Sequence, residues 1–222
     1  MLAIFSAERF VDRKLSVDVK MPVVHGSDGG TTILGKLTKT KDENIKKSNE
    51  LATQYAAKYR GCGQCTFMAV IDALRWGGPE IIPRDVEDRL FSGLCLLTGG
   101  VGLSGEGTCG AVASGTLAIG LALGLRRETT NESLFRRSCA LVRDALLDRY
   151  YQKYDSLLCK DIQRKFYGKA WDLTRDEMSA EFLGTTEGCV IMEGAMWATE
   201  VILDEFEKGN VKGYVGSPEA RS

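Results

Sequence analysis

The chain has 222 residues, 44% apolar and 27% charged, which suits one ordinary domain with or without an arm and excludes wholesale disorder. Its 29 Lys and Arg balance 30 Asp and Glu to a net charge of -1, which excludes a binder of the nucleic-acid phosphate backbone. Seven cysteines, an odd number, argue against a pure disulfide framework, and a single histidine, His25, excludes two-histidine zinc sites and bis-histidine haem from one chain.

Residues 1–40 read as an extended arm. Pro22, the run His25-Gly26-Ser27-Asp28-Gly29-Gly30 and the β-branched Val17, Val19, Val23, Val24, Thr31, Thr32 and Ile33 suggest a hairpin around the glycines. The first nine residues carry no basic leader and only a short apolar run, so a cytoplasmic protein with reduced thiols is expected.

Residues 41–210 carry a helical pattern. Asp42 is placed to cap a helix ending near Tyr59, with Gly61 as the breaker. A second helix is predicted over 64–76, stopped by Gly77-Gly78-Pro79, and a third follows Pro83 with Val86, Leu90, Leu94 and Leu97. A glycine-rich loop spans 99–107. The next helix, 108–123, ends at Gly124. Asn131 can cap a long helix to Tyr154 with Phe135, Cys139, Val142 and Leu146 on one stripe. Ser156 can cap a short helix ended by Gly168, and the last helix, 188–207, stops at Gly209-Asn210 before a tail over 211–222. The class is all-α: a helical bundle around a buried Gly/Ala-rich helix, with an irregular or short β N-terminal arm. The uncharged stretch 107–125 approaches the roughly 20 residues of a membrane span. Its five glycines and three hydroxyl residues keep its hydrophobicity modest, so a buried central helix is expected instead.

Three patterns could carry chemistry. Gly100-x-Gly102-x-x-Gly105 matches a dinucleotide fingerprint, but that motif works only between a strand and a helix, and here a helix precedes it. A tightly turned loop delivering Cys109 is the better reading. Cys62-Gly63-Gln64-Cys65 could chelate a metal or cycle as a dithiol, or its two cysteines could have separate roles. The third pattern is larger. Cys65, Cys109, Cys159 and Cys189 each sit at or just before a predicted helix start, where unpaired amide N–H groups and the helix dipole favour thiolate. Four thiolates without histidine suit an iron–sulfur cluster or zinc. Cys95 and Cys139 fit instead as small buried hydrophobes.

The run Gly107-Thr108-Cys109-Gly110-Ala111-Val112-Ala113-Ser114-Gly115, followed by Ile119-Gly120, resembles the CGAxxG signature of the C-GCAxxG-C-C family of redox-active proteins. Gln64-Cys65 before Ala69-Val70-Ile71 resembles that family's first cysteine site. Cys159 after Tyr154-Asp155-Ser156-Leu157-Leu158 resembles its third, and Gly188-Cys189 its fourth. The likeness covers roughly 51–206, with one departure: the closing glycine of the signature falls on Ser114, and Gly115 comes one place later. It extends to the iron–sulfur part of split-Soret cytochrome c, although this chain has no CxxCH for covalent haem.

The resemblance implies a cysteine-held iron–sulfur cluster, [2Fe-2S] ahead of [4Fe-4S], in a helical homodimer that carries electrons rather than catalysing a reaction. Cys65, Cys109, Cys159 and Cys189 would be the ligands, with Cys62 as the substitute first ligand. Gly105, Gly107 and Gly110 would bring backbone N–H groups close to the cluster. A redox partner protein is implied, and neither nucleic acid nor membrane. The competing expectations are a thiol–disulfide oxidoreductase using Cys62 and Cys65, or another pair of these cysteines, and a structural four-cysteine zinc protein.

Overall fold

The computed structural model describes residues 35–185 and 189–213. Most of the expected 1–40 arm, with its hairpin, falls on 1–34, and most of the tail on 214–222, outside the described residues; 35–40 form no regular structure. The described residues are helical throughout, apart from turns, loops and one isolated β-bridge.

α1 (Lys41–Tyr59) starts at Thr40 rather than at Asp42. The Thr40 hydroxyl accepts from the Glu43 amide at 3.2 Å, and the Glu43 carboxylate accepts from the Thr40 amide at 2.8 Å. This reciprocal cap satisfies two otherwise unpaired donors, leaving Asp42 as a favourable charge in the first turn. α2 (Cys62–Gly77) begins two residues before its predicted start and is buried along most of its length. α3 (Arg84–Leu96) follows Pro83. Arg75 ties it to α2 by donating to Glu87 at 2.8 Å while also pairing with Asp72.

α4 (Gly110–Ala122) is the expected buried Gly/Ala-rich helix. It packs against α2 and against α9 (Cys189–Glu207), while α1 covers both of those partners. Gly115 makes the close approach possible, since a β-carbon there would lie 3.3 Å from Ala198 and 3.4 Å from Leu146. Ser114, one place before it, is fully buried. Beyond α9 the chain turns at Gly209 (φ +74°) and returns amides of Lys212 and Gly213 to the Ala122 carbonyl, closing the end of α4. No helix among the described residues is long and apolar enough to cross a membrane.

The long helix capped by Asn131 forms as expected, with the Asn131 side chain accepting from the Leu134 amide at 2.9 Å. It is a rod of three parts: α5 (Glu132–Leu141), a π turn (Val142–Leu147) and α6 (Asp148–Tyr154). Its buried positions are Ser138, Leu146, Tyr150 and Tyr154, whereas Phe135 and Cys139 of the expected stripe are exposed. A uniform helix advances about 100° per residue and would rotate Tyr154 roughly 160° away from Ser138. The π turn absorbs the surplus and keeps both ends facing inward. Cys139 is therefore not a core residue, and Cys95 is half-buried. α7 (Cys159–Tyr167) ends at Gly168 (φ +75°), as expected, and packs on α6. α8 (Asp176–Thr185) was not anticipated, because it buries no residue and so carries little apolar periodicity.

The shifted stripe has a measurable consequence. Leu146→Ala should cost about 2–5 kcal/mol as a buried cavity. Cys139→Ala should stay within about 0.5 kcal/mol, as an exposed change does. Urea denaturation of the two variants checks the register, and comparable losses would restore the regular-helix stripe.

Candidate functional site

Three loops deliver the cysteines; glycine sets the geometry of two, and the third, before Cys159, turns at Asp155 (φ +59°). At the α1–α2 corner Arg60 and Gly61 both have positive φ, +50° and +111°, so α1 ends and α2 begins at Cys62. Gln64 holds this corner, donating to the Arg60 carbonyl at 2.6 Å and accepting from the Thr98 hydroxyl at 3.0 Å. Cys62 thus occupies the first helical residue of α2, where backbone N–H groups are unpaired.

The 97–109 loop that follows α3 is a tight left-handed turn. Gly99, Gly100, Val101, Gly102 and Leu103 all have φ between +59° and +75°. For a β-branched residue such as Val101 this is an uncommon and strained conformation. Hydrogen bonds hold it: the amides of Gly102, Gly105 and Gly107 donate to the carbonyls of Leu96, Gly99 and Gly100 at 2.8, 2.8 and 3.0 Å. The GxGxxG run therefore shapes a turn that follows a helix, with no strand before it.

That turn lays backbone against the cysteines. A β-carbon on Gly100 would fall 2.8 Å from the Cys159 β-carbon, and one on Gly110 would fall 2.6 Å from Cys62 Sγ. Cys109 and Cys159 are brought side by side by the β-bridge between Thr108 and Leu158. The Cys109 amide donates to the Leu157 carbonyl at 2.8 Å and the Cys159 amide to the Gly107 carbonyl at 3.0 Å. Cys109 caps α4 and Cys159 opens α7.

The electrostatics follow from this packing. The Cys109 thiol donates a hydrogen bond to Cys62, and the amides of Gly99, Gly110 and Cys62 itself also point at the Cys62 sulfur. These donors outweigh burial and pull the Cys62 thiol down to about 6. Cys109, as the donor to that sulfur and itself buried, is pushed well above the ordinary thiol range. Burial and the charge on Cys62 push Cys159 up to about 11, opposed by the Gln163 amide that donates to its sulfur at 3.3 Å. Cys62 and Cys109 titrate as a coupled pair, in which the donors facing Cys62 favour its ionised form and Cys109 as the proton-bearing partner.

The two cysteines of CxxC are separated by this arrangement. Cys65, three residues on in α2, donates to the Tyr55 carbonyl of α1 at 3.2 Å, and burial, with the charges of Cys62 and Cys95, pushes its thiol up to about 12. Cys189 opens α9, but its side chain lies outside the described residues. Among the described residues, no three His, Cys, Asp or Glu side chains stand together closely enough to hold a metal ion. Gln64, Thr98, Gln163 and Tyr150 belong to the surroundings of the site; the sequence marks Gln64 only as the residue before Cys65 and does not single out the other three. Only Gln163 had a local signal, one helical turn after Cys159 on the same face.

The depressed Cys62 thiol should be visible in solution. On reduced, metal-free protein carrying Cys139→Ala, iodoacetamide at neutral pH should label Cys62 first, with a rate that falls as pH drops through about 6. Cys65 and Cys159, with raised thiols, should react slowly at neutral pH and faster only toward high pH. Peptide mapping by mass spectrometry reads the order, and Cys65 labelling ahead of Cys62 would contradict the assignment.

A comparison with family models agrees with the ordered cysteines. Residues 61–200 match the family described as "Putative redox-active protein (C_GCAxxG_C_C)", a span that opens at Gly61 and takes in Cys62, Cys65, Cys109, Cys159 and Cys189. No curated protein and no solved structure matches the chain. The family match covers more than half of the sequence and includes every cysteine that opens or caps a helix, so the chain belongs to the C_GCAxxG_C_C family of redox-active proteins.

Proposed function

We propose that the chain is an iron–sulfur electron-transfer protein whose cluster is held by Cys62, Cys109, Cys159 and Cys189. What supports this reading is the placing of Cys62, Cys109 and Cys159 at three helix starts around one glycine-lined turn, with Cys62 and Cys109 interacting directly although the three are not grouped tightly enough to hold a metal as they stand. Cys189 is included because it opens a fourth helix, α9, which packs on α2 and α4. The donor set is all sulfur, which fits iron–sulfur ligation. The N–H groups of Gly99 and Gly110 already face the Cys62 sulfur and would stabilise negative charge there.

The sequence expectation gave the first ligand to Cys65, with Cys62 in reserve. Cys65 matches the family's first cysteine site and opens the predicted helix; the second of these grounds, applied to the observed start of α2, supports Cys62 instead. Cys65 also spends its sulfur on the Tyr55 carbonyl. When bound, the cluster would supply one-electron transfer. The chain itself would bind it, neutralise its charge with backbone amides and keep water from most of its surface. Leu96, Val101, Leu103 and Leu158, exposed around the turn and the bridge, would offer a redox partner an apolar surface to rest on.

A second reading rests on one specific contact, the hydrogen bond between the Cys109 thiol and the Cys62 sulfur. A thiolate with a thiol beside it is the arrangement a dithiol–disulfide couple needs. On that reading the reactive pair is Cys62 with Cys109 rather than Cys62 with Cys65.

Iron and acid-labile sulfide, measured on anaerobically purified protein, separate the readings. The cluster reading expects both, with a brown visible spectrum; Cys62→Ser and Cys109→Ser should lose most of the iron, while Cys65→Ala keeps it. Colourless protein without iron or sulfide would leave the dithiol couple, and stoichiometric zinc would leave a structural metal site.

A further inference from the structure

One buried polar group beside the cysteines has no partner. Tyr150, on α6, is fully buried, and its hydroxyl makes no hydrogen bond. Its neighbour one turn on, Tyr154, donates to the Glu193 carboxylate at 2.5 Å, so the stripe does not lack partners in general. A buried hydroxyl without an acceptor is a cost that phenylalanine would avoid at the same volume. The ring is fixed in place edge-on to Trp197, with centroids 4.9 Å apart.

The surroundings of that hydroxyl are informative. It lies against Gly194 so closely that a β-carbon there would fall 2.5 Å from it, and the same point is 3.1 Å from the Ala111 β-carbon and 3.4 Å from Thr66 Cγ2. These three neighbours belong to α9, α4 and α2, the helices opened or capped by Cys189, Cys109 and Cys62. The Ala111 amide itself points at the Cys109 sulfur. Burial first, and then the neighbouring Cys109, Tyr154 and Cys62, hold the Tyr150 phenol well above its ordinary range, so the hydroxyl keeps a proton that it can donate to an acceptor. The π turn just before it is what brings this residue round to face α4 and α9.

We infer that the Tyr150 hydroxyl, orphaned where α2, α4 and α9 meet, is a hydrogen-bond donor to the sulfur of the loaded cysteine centre and sets its reduction potential. The inference rests on the iron–sulfur reading above. A donor aimed at sulfur stabilises the more negative, reduced state more than the oxidised one, so it raises the potential. Gly194 is then required to be glycine, because any side chain there would push the hydroxyl away.

The test is Tyr150→Phe beside wild type, both loaded anaerobically, with iron, sulfide, redox titration and thermal melting of the metal-free form. The expected result is equal iron and sulfide, a reduction potential shifted to more negative values, and a metal-free melting temperature that is unchanged or higher. Equal potentials at full iron content would overturn the role of Tyr150 while leaving the cluster in place. A lower melting temperature of the metal-free variant would also overturn it, because the hydroxyl would then serve the fold. Wild type without iron or sulfide would overturn the cluster reading and this inference together.

Discussion

The arrangement depends on how a sulfur anion is kept inside a protein. A buried thiolate is unfavourable unless donors face it, and the first turn of a helix leaves backbone N–H groups with no intrahelical partner. Here Cys62 is the first residue of α2, Cys109 the cap of α4 and Cys159 the first residue of α7. The thiolate at Cys62 is met by the amides of Gly99 and Gly110 and by the Cys109 thiol. The same amides would meet a cluster's negative charge, so a redox function needs little more from the fold than holding these helix starts together.

Holding them together is a steric problem, and the glycines solve it. Gly63 lies against the Leu94 carbonyl, Gly107 against the Gly100 carbonyl, and Gly110 against Cys62 Sγ, all too close for a β-carbon. The left-handed turn from Gly99 to Leu103 brings α3 back across the ends of α2 and α7 in a few residues. It does so at the expense of positive φ at Val101 and Leu103; the other non-glycine residues of positive φ among the described residues, Arg60 and Asp155, stand at the corners leading into α2 and α7. Behind the site, Gly115 lets α4 press on α9 and on the rod, which fixes where Cys109 stands.

Much of this was legible because its signals are local. Asn131, Gly124, Gly168 and Gly209 marked helix ends correctly, and the Gly/Ala-rich composition of 110–122 identified the central helix. What the sequence obscured was register. Gly61 marks the break before α2 correctly, but Gly63 directly after Cys62 reads as loop, so the predicted helix opens at Gln64 beside Cys65 while the observed one opens at Cys62. The π turn is invisible to a 3.6-residue period, so Cys139 and Phe135 were placed inward while Tyr150 was passed over. A single residue of register thus separated an exposed cysteine from a core one, and a bystander tyrosine from a neighbour of the site.

The central claim is that Cys62 partners Cys109 across the glycine turn while Cys65 gives its thiol to the Tyr55 carbonyl. Oxidation of reduced, metal-free protein with diamide, followed by non-reducing digestion and fragmentation of the linked peptides, tests that claim most directly. The account predicts a disulfide between Cys62 and Cys109, with Cys65 still a free thiol. A disulfide between Cys62 and Cys65 in the bulk of the protein would contradict it.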